Sequence, residues 1–421
     1  MNNSYNKVSV IGLGYIGLPT ATVLASKGIH VVGVDINQHA VDTINSGRIH
    51  IVEPGLDVMV NEVVKSGLLK ASTKPEPSDA FIIAVPTPFR GSHEPDMSYV
   101  EAAIKSIAPH LAKRNLIILE STSPVGSTEY VASLLKQLRP DLVFPLQSGE
   151  GADVQIAYCP ERVLPGNVLF ELLNNDRIIG GVTSQCSQAA VQLYKTFVEG
   201  QCLITNARTA EMSKLTENAF RDVNIAFANE LSLICDESGI DVWELIKLAN
   251  HHPRVNILKP GPGVGGHCIA VDPWFIVHSA PERARMIRVA REVNDSKPYY
   301  VLEKVKRAVG FINKPNPVIA CLGLSFKADI DDLRESPAVE ITRAILDGNM
   351  ANVLVVEPNV EKLPDSFGGK AVQLVKLDDA LSQADILVVL VDHKEFLGLA
   401  KMNFADKVIV DTRGLITVSR D

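Results

Sequence analysis

The chain has 421 residues, 46% of them hydrophobic and 21% charged, which excludes disordered and fibrous classes and corresponds to roughly two to three domains. Its 41 Lys plus Arg against 49 Asp plus Glu leave a net charge of −8 with no long basic run, so neither duplex nucleic acid nor an anionic membrane is an expected partner. Cys159, Cys186, Cys202, Cys235, Cys268 and Cys321 are scattered without a C-x-x-C pair and read as reduced thiols of a cytoplasmic protein.

The run Val8–Ala25 is apolar enough to raise a signal peptide or membrane span. Only Lys7 stands before it in place of a basic stretch, and Gly12, Gly14, Gly17 and Pro19 interrupt it. The better reading is a buried strand running into a helix. Residues 7 to 35, KVSVIGLGYIGLPTATVLASKGIHVVGVD, then read as strand, glycine turn, helix, strand. Unalternating apolar runs at Val8–Ile11 and Val31–Val34 suit parallel strands buried on both faces, and Ala80–Val85 and Leu116–Leu119 continue the pattern.

Gly12, Gly14 and Gly17 satisfy G-x-G-x-x-G between a strand and a helix. The first glycine permits the tight turn, the second lets backbone approach a pyrophosphate, and the third allows close helix packing. Asp35 ends the next apolar strand, where a carboxylate accepts from the adenosine ribose hydroxyls and repels a 2′-phosphate. NAD rather than NADP is the expected cofactor.

From Thr209 to about Ser238 the chain lacks Pro and Gly and is apolar at Met212, Leu215, Ala219, Val223, Phe227, Leu231 and Ile234. That spacing predicts one long helix with a buried stripe, connecting two α/β halves and offering a candidate dimer surface. Lys214, Asn218 and Arg221 share one face of it. Such a line suits an anionic, hydroxyl-rich ligand, although it is also common on a solvated face.

Three further segments stand out. CPERVLPG, 159 to 166, holds Glu161 and Arg162 between two prolines, and GPGVGGHCIAVDPW, 261 to 274, sets Cys268 in a glycine-rich loop. GLSFKADIDDLRESP, 323 to 337, carries Lys327 and Arg334 after a strand. A cysteine in such a loop is reachable by solvent, and His267 beside it could lower its pKa; the other five read as small buried hydrophobes. No zinc-ligand spacing and no H-E-x-x-H occurs, so no metal is expected.

From Pro317 the opening pattern returns as PVIACLGL, a helix near Ala338–Leu346, VLVVEP, ADILVVLVDH and KVIVDTRG, with the glycine fingerprint reduced to Gly323. The expected architecture is α/β: two Rossmann-like doubly wound domains joined by a long central helical segment. Its divisions are 1–205, a nucleotide-binding domain; 206–314, a central helical dimerisation segment with the cysteine loop; and 315–421, a second Rossmann-like domain.

GLGYIGLP, ESTSPVGSTE, CPER, the K-x-x-x-N helix, GPGVGGHC with its downstream Asp, and F-K-x-x-x-D-D-x-R-x-S-P occur in that order. Together they resemble the UDP-glucose/UDP-mannose dehydrogenase family from Val8 to about Gly414. The resemblance implies an NAD domain, a dimerisation segment and a UDP-binding domain. It also implies four-electron oxidation of a sugar C6 hydroxyl with two NAD, through a cysteine thiohemiacetal and thioester. It makes Cys268 the nucleophile, lets Asp272 and Glu161 position or deprotonate the hydrolytic water, and gives Lys214 and Asn218 the oxyanion character at C6. Thr122 would hold that water or lie against the nicotinamide.

The resemblance further implies that Gly12, Gly14, Tyr15, Ile16, Gly17, Asp35, Thr87, Thr122 and Arg334 contact the cofactor. Glu161, Arg162, Val163, Lys214, Asn218, Arg221, His252, Arg254, Gly265 and Lys327 would line the UDP-sugar site. Ala270 and Val271 replace the Pro and Lys usual in UDP-glucose dehydrogenases, and Pro165 stands where a glutamate is usual. GGHCIAVDP is similar to the branch oxidising UDP-N-acetylhexosamines. The segments YCPERVLPG and HPRVN are similar to members acting on UDP-N-acetyl-D-mannosamine for surface polysaccharide such as enterobacterial common antigen. UDP-N-acetylglucosamine is the alternative substrate, and UDP-glucose a more distant one. Two other classes share part of the pattern: a two-electron hydroxyacid-type dehydrogenase, which leaves the Cys268 loop and the C-terminal domain unexplained, and a non-catalytic NAD sensor, against which Lys214, Cys268 and Asp272 speak.

Overall fold

The computed structural model describes residues 5–91, 93–163, 166–312 and 314–416; Pro165 lies outside them. The chain divides into two compact units, residues 1–217 and 218–421.

The first unit is built on an eight-stranded sheet. Its order is Cys202–Asn206, Arg177–Gly181, Gln155–Tyr158, Leu116–Leu119, Ala80–Ile83, Lys7–Ile11, His30–Val34 and Leu69–Ser72. From Leu69–Ser72 inward this is the 3-2-1-4-5-6 order of a doubly wound dinucleotide fold. Side chains of one strand point alternately to two cores. Ile82 and Ile118 face one containing Leu18, Leu24 and Val60, while Phe81, Ile83, Ile117 and Leu119 face another containing Val100, Ile104 and Leu135. Burial on both faces is why these strands carry no polar alternation.

The four strands expected in this half form, and the stretch Val8–Ala25 is a strand, a glycine turn and the helix Gly17–Ser26. Among the described residues no helix is long and apolar enough to cross a membrane. Four further strands of this sheet are not among those expected. Leu69–Ser72 is short and carries a lysine, and Cys202–Asn206 is an edge strand exposing Leu203 and Ile204. Arg177–Gly181 runs antiparallel to Gln155–Tyr158, so the sheet is mixed at that edge.

The second unit carries a five-stranded parallel sheet ordered Val372–Leu374, Asn352–Val356, Val318–Leu322, Ile386–Val389 and Val408–Asp411. Its 3-2-1-4-5 order repeats that of the first unit. Gly323 sits at φ +93, as does Gly12. Its N–H donates to Val356 O at 2.8 Å, as the Gly12 N–H donates to Val34 O at 2.7 Å. The helix Pro337–Asp347 follows, and Arg285–Ile312 packs on it and on Asp272–Ser279.

The helix Ala207–Ser238, 32 residues long, spans the division between the units. Its buried face differs from the expected apolar stripe. Leu215 and Ala219 are buried, but so are Glu211, Lys214, Asn218, Asp222, Asn229 and Ser232, whereas Met212, Phe227 and Ile234 of the stripe, with Phe220, are exposed. Several of these polar groups find partners there: Asn229 bonds Asn294 at 2.8 Å and Arg291 pairs with Asp222 at 2.6 Å. Satisfied hydrogen bonds make such burial tolerable.

Candidate functional site

The glycine loop fits a pyrophosphate. A Cβ on Gly17 would lie 1.8 Å from Gly12 O, and one on Gly12 2.5 Å from Ala84 O, so the turn closes only without side chains; at Gly14 the same atom would meet nothing within 4 Å. That open space lies before the first turn of Gly17–Ser26, whose N–H groups attract anions. Asp35 closes the loop from the neighbouring strand, its Oδ2 accepting from the Leu13 N–H at 2.9 Å and Oδ1 from the Asn37 N–H at 2.9 Å. Each oxygen keeps a lone pair for a ribose hydroxyl. Tyr15 and Ile16 are half-buried beside it.

Thr87 and Thr122 are joined directly, the Thr87 hydroxyl donating to Thr122 O. Glu211 then ties the long helix to the turn after Thr122. Its carboxylate accepts from the Gly126 N–H at 2.6 Å and from the Thr128 N–H and hydroxyl at 2.8 and 2.6 Å. One turn further along that helix is Lys214, buried and close enough to act on Glu161.

Glu161 is 8% exposed, and its carboxylate accepts from the Val163 N–H. Burial pushes its pKa up to about 7, with Lys214 and then Arg177 pulling it down and Glu120 pushing it up. The group is therefore poised to exchange a proton near neutrality. Arg162 is half-buried and forks onto Glu217 at 3.1 and 2.7 Å, while Val163 packs on the main core. Glu53, absent from the sequence-derived set, accepts from the Gly166 and Val168 N–H groups at 2.9 and 2.7 Å and anchors the segment after Arg162.

In the second unit Cys268 is the exposed cysteine; Cys159, Cys186, Cys235 and Cys321 are buried, and Cys202, expected to be buried, is intermediate. Cys268 precedes the helix Asp272–Ser279, and its carbonyl accepts from the Asp272 N–H at 2.9 Å. Asp272 is buried, and Asn218 Nδ2 donates to its Oδ2 at 2.5 Å. The loop is fixed at two further points. The Gly261 N–H donates to Asn229 Oδ1 at 2.9 Å, and Arg291 Nη1 reaches Ile269 O at 3.5 Å.

The glycines of this loop are explained by its neighbour. A Cβ on Gly265 would lie 2.4 Å from Glu335 O and 2.8 Å from Phe326 Cβ, so the segment bearing Lys327 and Arg334 lies against it. Arg334 forks onto Asp332 at 2.8 and 2.6 Å, and both Arg334 and Lys327 are exposed. His267 does not act as the cationic neighbour anticipated for Cys268. Desolvation first, and the Arg334 charge second, lower its pKa, outweighing Asp332 and Glu335, and a neutral imidazole lends a thiolate no charge.

Arg221, His252 and Arg254 are exposed; the Arg254 N–H donates to His252 Nδ1 at 3.3 Å. Arg221 thus parts from Lys214 and Asn218, which are buried on the same helix. Among the described residues Asp329, His393 and Glu395 have potential metal-ligand atoms within 4.8 Å of one another. The imidazole is already engaged, since Nδ1 accepts from the Asp329 N–H at 3.0 Å and Nε2 lies 3.1 Å from Glu357 Oε2.

The NAD binding domain of the UDP-glucose/GDP-mannose dehydrogenase family matches residues 6–198, its central domain 208–296 and its UDP binding domain 320–418. Here the second sugar nucleotide is GDP-mannose rather than UDP-mannose. A protein of Ralstonia nicotianae described as NDP-N-acetyl-D-galactosaminuronic acid dehydrogenase is 62% identical over 416 residues, 99% of this chain and 97% of the relative. The UDP-N-acetyl-D-mannosamine dehydrogenase of Yersinia pestis is 62% identical over 421 residues, 98% of this chain and 99% of the relative. Among solved structures, the UDP-D-ManNAc dehydrogenase of Pyrococcus horikoshii aligns with a TM-score of 0.87 at 41% identity, covering 98% of this chain and 96% of that one.

Proposed function

Because this chain belongs to the UDP-glucose/GDP-mannose dehydrogenase family of NAD-dependent nucleotide-sugar dehydrogenases, we propose that it oxidises UDP-N-acetyl-D-mannosamine at C6 to UDP-N-acetyl-D-mannosaminuronate. Overall, one CH2OH, two NAD+ and one water become one carboxylate, two NADH and three protons. The observation that carries the chemistry is the exposed Cys268 with buried Asp272, held by Asn218, four residues behind it. The substrate rests on the 62% identity with the Yersinia pestis enzyme.

When bound, NAD accepts the two hydrides. Gly12, Gly14, Tyr15, Ile16, Gly17, Asp35, Thr87, Thr122 and Arg334 would hold it, Gly14 leaving the pyrophosphate its space. The Cys268 thiolate adds to the C6 aldehyde, and oxidation of that thiohemiacetal leaves a thioester. Water then forms the new C–O bond and the C–S bond breaks, releasing the thiolate. Glu161 and Asp272 take and position the proton of that water, while Lys214 and Asn218 stabilise the developing oxyanion. Arg162, Val163, Arg221, His252, Arg254, Gly265 and Lys327 serve UDP-sugar recognition, the cations answering its phosphates.

The functional divisions follow as 1–205, 206–314 and 315–421. The enzyme works in the cytoplasm as a homodimer formed through the long helix, whose exposed Met212, Phe220, Phe227 and Ile234 form an apolar face awaiting cover. Its product enters surface polysaccharide of the enterobacterial common antigen type. The Ralstonia nicotianae relative, also 62% identical, favours a second reading with a galacto-configured sugar. UDP-N-acetylglucosamine and UDP-glucose complete the comparison.

The test is NADH formed per sugar consumed, with the four UDP-sugars in parallel. Two NADH per UDP-N-acetyl-D-mannosamine with the others inert supports the reading. Two on another sugar keeps the chemistry and replaces the substrate, and one NADH per sugar removes the thioester and the role of Cys268.

A further inference from the structure

Both ends of the loop that carries Cys268 meet one buried chain of hydrogen bonds. The Gly261 N–H donates to Asn229 Oδ1 at 2.9 Å, Asn229 Nδ2 donates to Asn294 Oδ1 at 2.8 Å, and Asn294 Nδ2 donates to Asp222 Oδ1 at 2.8 Å and to Asp222 O at 3.1 Å. A backbone donor at one end and a carboxylate at the other fix the orientation of both amides. Arg291 Nη1 donates to the same Asp222 oxygen at 2.6 Å and reaches Ile269 O, the carbonyl directly after Cys268, at 3.5 Å, while its Nη2 donates to Asp295 one turn along its own helix. Asp222, Asn229, Arg291 and Asn294 are all buried.

Such a chain is a poor device for stability alone. Arg291 Nε and Asp222 Oδ2 are buried without a hydrogen-bond partner among the described residues, and a buried ion pair gains little over well-packed apolar side chains of similar volume. What apolar side chains cannot do is hold a chosen carbonyl and a chosen N–H at fixed points. The loop needs that service, because Gly263, Gly265 and Gly266 bring it no side chains of their own to lock its backbone. Asp222 also stands one turn beyond Asn218, whose amide holds Asp272, so neighbouring turns of one helix serve the loop and the helix behind it.

We propose that Asp222, Asn229, Arg291 and Asn294 are positioning residues that fix the Cys268 backbone for capture of the aldehyde. The inference rests on the thiohemiacetal route proposed above. In the first oxidation C6 loses a hydride to NAD+ and its hydroxyl a proton, and the cysteine takes no part. In the second the Cys268 thiolate forms an S–C bond to the aldehyde carbon, whose oxygen takes up the negative charge. That alkoxide then expels the remaining hydride to a second NAD+ and leaves the thioester.

The two oxidations therefore respond differently to the loop. A displacement of about 1 Å slows capture by about 100-fold and leaves the first hydride transfer in place, so aldehyde escapes before the thiol reaches it. A general loss of structure slows both transfers together. Arg291 suits its place because a guanidinium presents a planar fork of donors, here spread over Asp222, Ile269 O and Asp295, which the compact ammonium of a lysine does not reproduce.

The experiment measures NADH formed per sugar consumed by the intact enzyme with NAD and the UDP-sugar it oxidises, with semicarbazide present to trap free aldehyde as a semicarbazone for mass spectrometry. Wild type gives two NADH and no semicarbazone. Arg291→Met combined with Asp222→Leu removes both charges together, so Tm stays within a few degrees of wild type. The ratio falls from two toward one, semicarbazone accumulates, and the first-turnover NADH rate stays within about threefold. Asn229→Ala, which frees the Gly261 end, moves the ratio the same way, and Arg291→Lys with Asp222 retained restores part of it. A folded double variant that keeps two NADH per sugar, or slows both hydride transfers equally, overturns the proposal; if it does not fold, Asn229→Ala decides by the same criterion. A wild-type ratio of one with trapped aldehyde removes the thioester route itself, whereas a wild-type ratio of two with unshifted variants removes only the role of the buried chain.

Discussion

Asn218 and Asp272, 54 residues apart, are joined by a 2.5 Å hydrogen bond between buried side chains. The bond ties the middle of the long helix to the first residue of the helix behind Cys268. Replacing Asn218 by Ala removes one partner of a buried carboxylate and costs about 1–3 kcal/mol. Asn218→Asp costs more at pH 8, because two carboxylates at that distance do not both ionise. One of them takes a proton as pH falls, so urea denaturation at pH 8 and pH 5 shows the Asp deficit shrinking while the Ala deficit stays constant. Equal deficits at both values contradict the pairing.

The glycines separate by what surrounds them. Gly14→Ala meets nothing within 4 Å, so its Tm stays within a few degrees of wild type while NAD affinity falls at least about tenfold. Gly265→Ala drives a Cβ to within 2.4 Å of Glu335 O, and the Cys268 loop must shift. It costs about 1–3 kcal/mol and lowers kcat. Calorimetry with NAD titration checks both, and a Gly14→Ala variant binding NAD as wild type removes the pyrophosphate from that space.

Burial sorts the thiols. Cys159 and Cys321 are pushed up to about 12, whereas Cys268 is exposed. Iodoacetamide at pH 8 followed by peptide mass spectrometry finds Cys268 alkylated first and activity lost in step, with Cys159 and Cys321 unmodified until urea is added. UDP-sugar slows the modification. Full activity after complete alkylation of Cys268 rules out its nucleophilic role.

Glu161 also makes stability depend on pH. Its folded pKa of about 7 lies above the ordinary 4.5, so the folded state holds the proton more tightly, and stability is lost as pH rises from about 4.5 through 7. Glu161→Gln removes that dependence. Stability of the variant relative to wild type therefore rises by about 2–3 kcal/mol across that window, read from denaturation midpoints in graded buffers. A flat difference shows that the burial does not perturb the group.

The strands and turns that hold nucleotides were legible because their signals are local. Four of the unalternating apolar runs became neighbouring strands, and the Gly12 turn and Asp35 met as spacing required. The long helix was found by its lack of Pro and Gly, yet its buried face was misjudged. Hydrophobic periodicity assumes that apolar residues turn inward, and here Asn218, Asp222 and Asn229 are inside with partners from other helices and loops. Arg177 and Glu53 gave no signal, since a buried charge is recognised only by what surrounds it.

By itself, then, the sequence determined the two α/β halves, the dinucleotide turn and the family's motifs, because backbone conformation, burial period and glycine sterics act over a few residues. Tertiary structure alone decided which charges are buried and which carboxylate is perturbed. Glu161 is raised by desolvation and by Glu120 and lowered by Lys214 and Arg177, groups drawn from separate elements, and the electrostatic energy of a group depends on distances and dielectric that exist only once the chain has packed.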